Sequence, residues 1–260
     1  MTNLLRVLVV SMLLELRQLA TSRFMLFAVI VQPFFVAVTT MFMLRHRPDF
    51  DPVYVVVGAA LSGIWTVILF EGTWLIGSER GAGTLEYLVA APSSFMLVVG
   101  SRLVGAMLFS VLSMALSWVI GAGLFGYSIA IAEPVPFVIS TLLAMVALWA
   151  TGMVFAPLGV MWRTVSNFLT ILEYPVYALS GFLFPILLLP DWSRPVSLLL
   201  PPYWAALALH GTSSGEALAL PLPAVWGVLL LSAAAAVASA WPLFRLVQRR
   251  ARVDGTLALT

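Results

Sequence analysis

Apolar positions along the chain run in long unbroken stretches, and each stretch ends at charge, proline or glycine. A bilayer-crossing helix needs about 20 mostly apolar residues. Six stretches meet that length: 24–44, 54–77, 95–125, 135–161, 168–189 and 223–246. Residues 1–22 carry a different pattern, with Leu4, Leu5, Leu8, Met12, Leu16 and Leu19 at helical spacing and Arg6, Glu15, Arg17 and Gln18 on other faces. This predicts an amphipathic helix lying in the membrane interface. Glu15 and Arg17 interrupt its apolar run and no small-x-small site precedes them, which argues against a cleaved signal peptide.

Composition agrees with this reading: 62% of the 260 residues are hydrophobic and 9% are charged, whereas soluble chains carry about a quarter charged residues. Mean hydropathy is +1.07. The expected fold class is an all-α membrane protein with six transmembrane helices, forming one domain over residues 1–260. High apolar content excludes a disordered chain, and the absence of cysteine excludes disulfides, thiolate metal sites and cysteine nucleophiles. All 13 basic residues are arginine. With both termini in the cytoplasm, ten of them (6, 17, 23, 80, 102, 163, 245, 249, 250, 252) fall on the inner side and three (45, 47, 194) outside. This follows the positive-inside rule, so the charge sets orientation and does not indicate nucleic acid. The expected location is the cell's inner or plasma membrane, multi-pass.

Two connections stand out. In the inner loop 78–92, Gly81 and Gly83 break the preceding helix, Thr84 can cap a new one, and Pro92 stops it. Leu85, Leu88 and Val89 share one face of this short helix, with Glu86 and Tyr87 elsewhere. Six to eight residues are too few for independent stability, so the helix must dock against the bilayer surface or another protein. In the outer connection 182–210, apolar residues alternate with breakers, and no piece between breakers is long enough to cross. Such segments read as re-entrant or interfacial, with Trp192, Tyr203 and Trp204 suited to the aromatic belt.

Glu79-Arg80-Gly81-Ala82-Gly83-Thr84-Leu85-Glu86-Tyr87-Leu88 followed by Pro92, together with Gly181-Phe182-Leu183-Phe184-Pro185 and Leu189-Pro190-Asp191-Trp192, resembles the type-2 ABC exporter permeases. The resemblance covers nearly the whole chain. It implies that 1–22 is an interfacial connecting helix, 78–92 carries the coupling helix, and 182–210 forms re-entrant outer helices. By the same resemblance the chain is a transport subunit and not itself an enzyme. Its partners are separate ABC ATPase subunits, a second permease subunit (homo- or heterodimer) and the bilayer. ATP and Mg belong to the ATPase, and no cofactor belongs to this chain. A phosphate-cradling Gly-x-x-x-x-Gly-Lys-Ser/Thr loop needs a lysine, and these 260 residues contain none. Glu79, Arg80, Gly83, Thr84, Leu85, Glu86 and Leu88 are the expected ATPase-coupling residues, with Leu85, Leu88 and Val89 filling a groove on the partner. An ordinary solvated loop is the alternative.

The candidate pathway or gate residues are Glu71, Glu173, Phe182, Phe184 and Pro185. An acid inside a span is a functional candidate, because desolvation is costly unless the group is paired or cavity-facing. Glu173 fits that reading, or pairs with Arg163 near the headgroups; Glu71 makes an inward polar contact or snorkels to the interface. His46 and His210 read as surface histidines without metal-ligand spacing, and the 11 Met and 16 Phe as packing or lipid-facing residues. The expected cargo is a hydrophobic or amphipathic drug, antibiotic or lipid-like compound. An ABC permease for a lipid-linked glycan and an ion-gradient-driven secondary transporter are the alternatives.

Overall fold

The computed structural model describes residues 2–44, 46, 51–90, 94–124, 126, 129–161, 171–215, 218 and 220–253. Among them every regular element is helical: α1 (Thr2–Thr21), α2 (Arg23–Leu44), α3 (Pro52–Gly81), α4 (Leu85–Ala90), α5 (Phe95–Val119), α6 (Pro134–Met161), α7 (Glu173–Leu179), α8 (Arg194–Leu199), α9 (Pro201–Ser214) and α10 (Leu222–Val253). Five of these helices, α2, α3, α5, α6 and α10, are long and apolar enough to cross a membrane. The 30 residues of α3 extend over about 45 Å at 1.5 Å per residue.

Helix α3 is the axis of the bundle, with α2, α5 and α6 packed around it. Within its apolar window 89% of positions are buried, against 17% for α10, which lies at the periphery against α6. Lipid is as apolar as leucine, so burial from water does not drive these contacts; close packing of small residues does. Gly72 of α3 and Gly152 of α6 illustrate this, since a Cβ on the first would sit 3.1 Å from the Cα of the second.

Most helix ends match the apolar pattern within a few residues. The third stretch closes differently, with a π-helical turn at Ile120–Leu124 following α5, and Phe125 outside the described residues. The fifth expected stretch, 168–189, is seen only from residue 171 and does not continue as one helix. It stops at Leu179 because Gly181 turns left-handed (φ 78°), a conformation glycine adopts at little steric cost. The Tyr54 hydroxyl fixes this bend by donating to the Gly181 carbonyl at 2.5 Å. Beyond it follow 3-10 turns at Ile186–Leu188 and Asp191–Ser193, then α8 and α9.

Candidate functional site

The signature of the 78–92 loop is placed by the ends of α3 and α5. Gly83 is left-handed (φ 69°) between α3 and α4. Thr84 stands just before α4, as expected of a cap, but its hydroxyl turns back to the Glu79 carbonyl at 3.1 Å and to the Glu79 carboxylate. Leu85 departs from expectation. It is buried inside the chain in a cluster with Leu75, Ile76, Phe95, Phe244 and Val247, and Leu88 packs beside it. A six-residue helix gains its order from that anchor. Among the described side chains of α4 the one presented outward is Tyr87, 79% exposed; that of Val89 lies outside the described set. The Arg80 and Glu86 side chains lie outside the described set.

Glu79 is held by its own chain. Arg102 of α5, read from the sequence as a topology charge, is 4% exposed and donates from Nε to Glu15 of α1 at 2.5 Å, from Nη1 to Glu79, and from Nη2 to Gln18 at 2.8 Å. Glu15, expected on a polar face, is 2% exposed. The Glu71 side chain meets Glu15 and lies in the field of Arg102, so its contact is inward. α1 comes this close because position 105 of α5 is glycine: a Cβ there would stand 2.6 Å from the Met12 carbonyl oxygen. The guanidinium fork thus ties α1, α3 and α5 together. Its planar set of donors suits several carboxyl oxygens at once, which an ammonium does not.

A second buried polar cluster lies further along α3. Thr66 is 13 residues before Glu79, about 20 Å away along the helix axis. Glu173, 5% exposed, sits at the start of α7, and three donors converge on its Oε1: Gln32 Nε2 at 2.7 Å, Thr66 Oγ1 at 2.6 Å and Tyr177 OH at 2.8 Å. Gln32 Nε2 also donates to the Tyr177 hydroxyl at 2.5 Å. Pro33 follows Gln32 within α2 and leaves the Val29 carbonyl without its intrahelical donor. Ser113 of α5 approaches that carbonyl at a long 3.5 Å. Among the described residues no arginine or histidine pairs with Glu173; Arg163, its expected alternative partner, lies outside them.

Of the remaining pathway candidates, Phe182 is fully buried with its ring 5.9 Å from that of Tyr177, while Phe184 and Pro185 are half-buried. The structure therefore brings Glu173 and Phe182 together through Tyr177 and leaves Glu71 with the Arg102 group. Sequence reasoning missed Glu15, Gln18, Gln32, Thr66, Arg102 and Tyr177.

No protein-family model matches the chain, and no curated protein matches it. His46 is exposed as expected, whereas His210 is half-buried. Its ring stacks on Tyr54 at 3.8 Å and both ring nitrogens are buried near the Gly181 carbonyl. Burial pushes the ring down to about 3, with the carbonyl opposing, so the folded protein holds it neutral. Among the described residues no group of three metal-ligating side chains occurs.

Proposed function

We propose that the chain is the permease subunit of an ATP-driven exporter of the type-2 ABC class, moving a hydrophobic or amphipathic compound out of the cytoplasm. In this reading the chain crosses the membrane six times with both termini inside, α1 lies in the inner interface, and 182–210 folds back into the outer leaflet. A second permease completes the pathway, and separate ATPase subunits supply ATP and Mg.

The observation that carries the reading is α4 itself. This helix is too short to fold alone, is nailed to the bundle by Leu85, and is joined through Glu79 and Arg102 to three helices at once. Force applied to the Tyr87 face would be passed to α3, α5 and α1 together. Of the residues expected to dock on the ATPase, Glu79, Thr84, Leu85 and Leu88 transmit in this reading, and Tyr87, which was not among them, makes the contact.

Co-expression with candidate ABC ATPases tests this. Tyr87→Arg should abolish co-purification of the ATPase and drug-stimulated ATP hydrolysis while the permease still folds. Unchanged association and coupling in that variant would contradict the assignment. One observation favours a second reading, an ion-driven secondary transporter, namely the membrane-embedded carboxylate of Glu173. Uptake into proteoliposomes driven by a proton gradient, with no ATPase present, would select it.

A further inference from the structure

Two hydrophobic cavities of similar size open among the described residues of the bundle, and in one of them the polar wall is bonded directly to a buried carboxyl. The first, of about 400 Å³, is lined by apolar residues of α1, α5, α6 and α10 such as Leu8, Met12, Met96 and Trp149. The second, of about 410 Å³, lies between α2 and α7 and is lined by Phe27, Phe35, Tyr174, Leu183, Gln32 and Tyr177. Both volumes fall within the usual range of small-molecule sites. Gln32 and Tyr177, which form the polar wall of the second cavity, are two of the three residues that hold Glu173 Oε1.

We infer that this second cavity is a binding site for a lipophilic organic cation, with Glu173 as its counter-charge behind a wall of Gln32 and Tyr177. Three features carry the inference. The carboxyl is surrounded by neutral donors only, and all of them meet one oxygen; no described donor meets Oε2. An anion so placed is costly in a low-dielectric interior, and a bound cation offsets that cost. The rest of the cavity offers aromatic faces, from Phe27, Phe35 and Tyr174, all largely exposed at its mouth, and cations are attracted to such faces. Gln32 adds an amide oxygen that no described donor meets, and its dipole is favourable to positive charge. Entry is lateral, because the aromatic residues at the mouth lie on the outer surface of α2 and α7. A lipophilic cation already partitioned into the bilayer therefore reaches the site without crossing the polar inner loop. The inference rests on the permease reading and names the charge class of its cargo.

The test uses the full-length permease in phosphatidylcholine nanodiscs, without an ATPase, and measures equilibrium binding of radiolabelled tetraphenylphosphonium against neutral triphenylphosphine oxide, with empty discs as background. The wild type should bind the cation saturably. Glu173→Gln should weaken it about tenfold, as for the loss of one charge that acts from behind the Gln32 and Tyr177 wall and not in direct contact, and leave the neutral compound unaffected. Glu173→Asp should retain cation binding better than Glu173→Gln. Phe35→Leu, outside the hydrogen-bonded cluster, should weaken the cation about threefold and the neutral compound less. It decides the matter should Glu173→Gln not fold. Absence of saturable cation binding, equal binding by Glu173→Gln, no advantage of Asp over Gln, or equal losses for cation and neutral compound would overturn the inference. Because no ATPase is present, failure here leaves the permease assignment standing, and failure to find an ATPase partner leaves this site standing.

Discussion

Two buried polar clusters on α3 each join a carboxyl to a glutamine and differ in whether a cation stands among them. At the α4 end, Glu15, Glu79 and Gln18 surround a guanidinium; about 20 Å away along the helix, Glu173 is surrounded by an amide and two hydroxyls. A buried ion pair serves to specify which helices meet, whereas a carboxyl held only by neutral donors has no counter-charge among the described residues. A cation supplied by the chain itself thus separates the clasp from the site, even though Glu15, Glu71 and Glu79 outnumber Arg102. The cavities agree: the Glu173 cluster forms one wall of a cavity, and Arg102, Glu15 and Glu79 line neither of the two.

The most damaging way to break the comparison is to make the clasp resemble the site. Arg102→Leu leaves Glu15 and Glu79 without their cation and should cost about 3–5 kcal/mol, enough to unfold much of the protein. Thermal unfolding in detergent would show it, and adding Glu15→Gln and Glu79→Gln to the same chain should recover a large part of the loss. A full loss that the added substitutions do not relieve would show that Arg102 acts by packing alone.

Next in size is a pH effect at His210, whose ring nitrogens are buried and which pairs with no charged group among the described residues. Its folded-state value near 3 lies below the ordinary histidine value of about 6.5, so the unfolded state takes up the proton first. Stability is therefore fully present above about pH 6.5 and declines as pH falls toward 3. Between pH 7 and 5 the decline should be roughly 2 kcal/mol. His210→Phe should flatten the part of the unfolding-midpoint profile that titrates there; an unchanged profile would mean that the ring does not control it.

The remaining two effects on stability are small. Glu173→Gln preserves an acceptor for Gln32, Thr66 and Tyr177 and should cost about 1 kcal/mol or less. A cost approaching that of Arg102→Leu would erase the distinction between the clusters. Tyr87→Arg, on the exposed face of α4, should stay within about 0.5 kcal/mol of wild type by unfolding midpoint, and act only on association with an ATPase.

The helices were legible because lipid imposes a length and an apolar composition that a single chain displays directly, and α2, α3 and α6 begin within two residues of the stretches that predict them. The inner loop was legible too, because glycine and threonine mark its turns. The clasp was not. Arg102 lies near the N-terminal end of its span, where a charge normally records orientation, and its partner Glu15 is 87 positions away in sequence. Glu173 stood out as an acid in an apolar stretch, but Gln32, Thr66 and Tyr177 carry no pattern, since a neutral polar residue in a span looks alike whether it meets lipid or a carboxyl. Leu85 was recognised as the apolar face of its helix and assigned to a partner, although the nearer apolar surface was that of its own chain.

Whether Glu173 sets a negative field in the cavity can be measured directly, because the chain has no cysteine and a single introduced thiol reports its local potential. Val31→Cys places that thiol in the wall of the same cavity as Gln32 and Tyr177. The decisive quantity is the ratio of its modification rates by a cationic and an anionic methanethiosulfonate, measured with Glu173 and with Glu173→Gln. The ratio should fall about tenfold when the carboxylate is removed; a ratio that does not change would show that Glu173 contributes no field to the cavity, and would remove the basis for separating the two clusters.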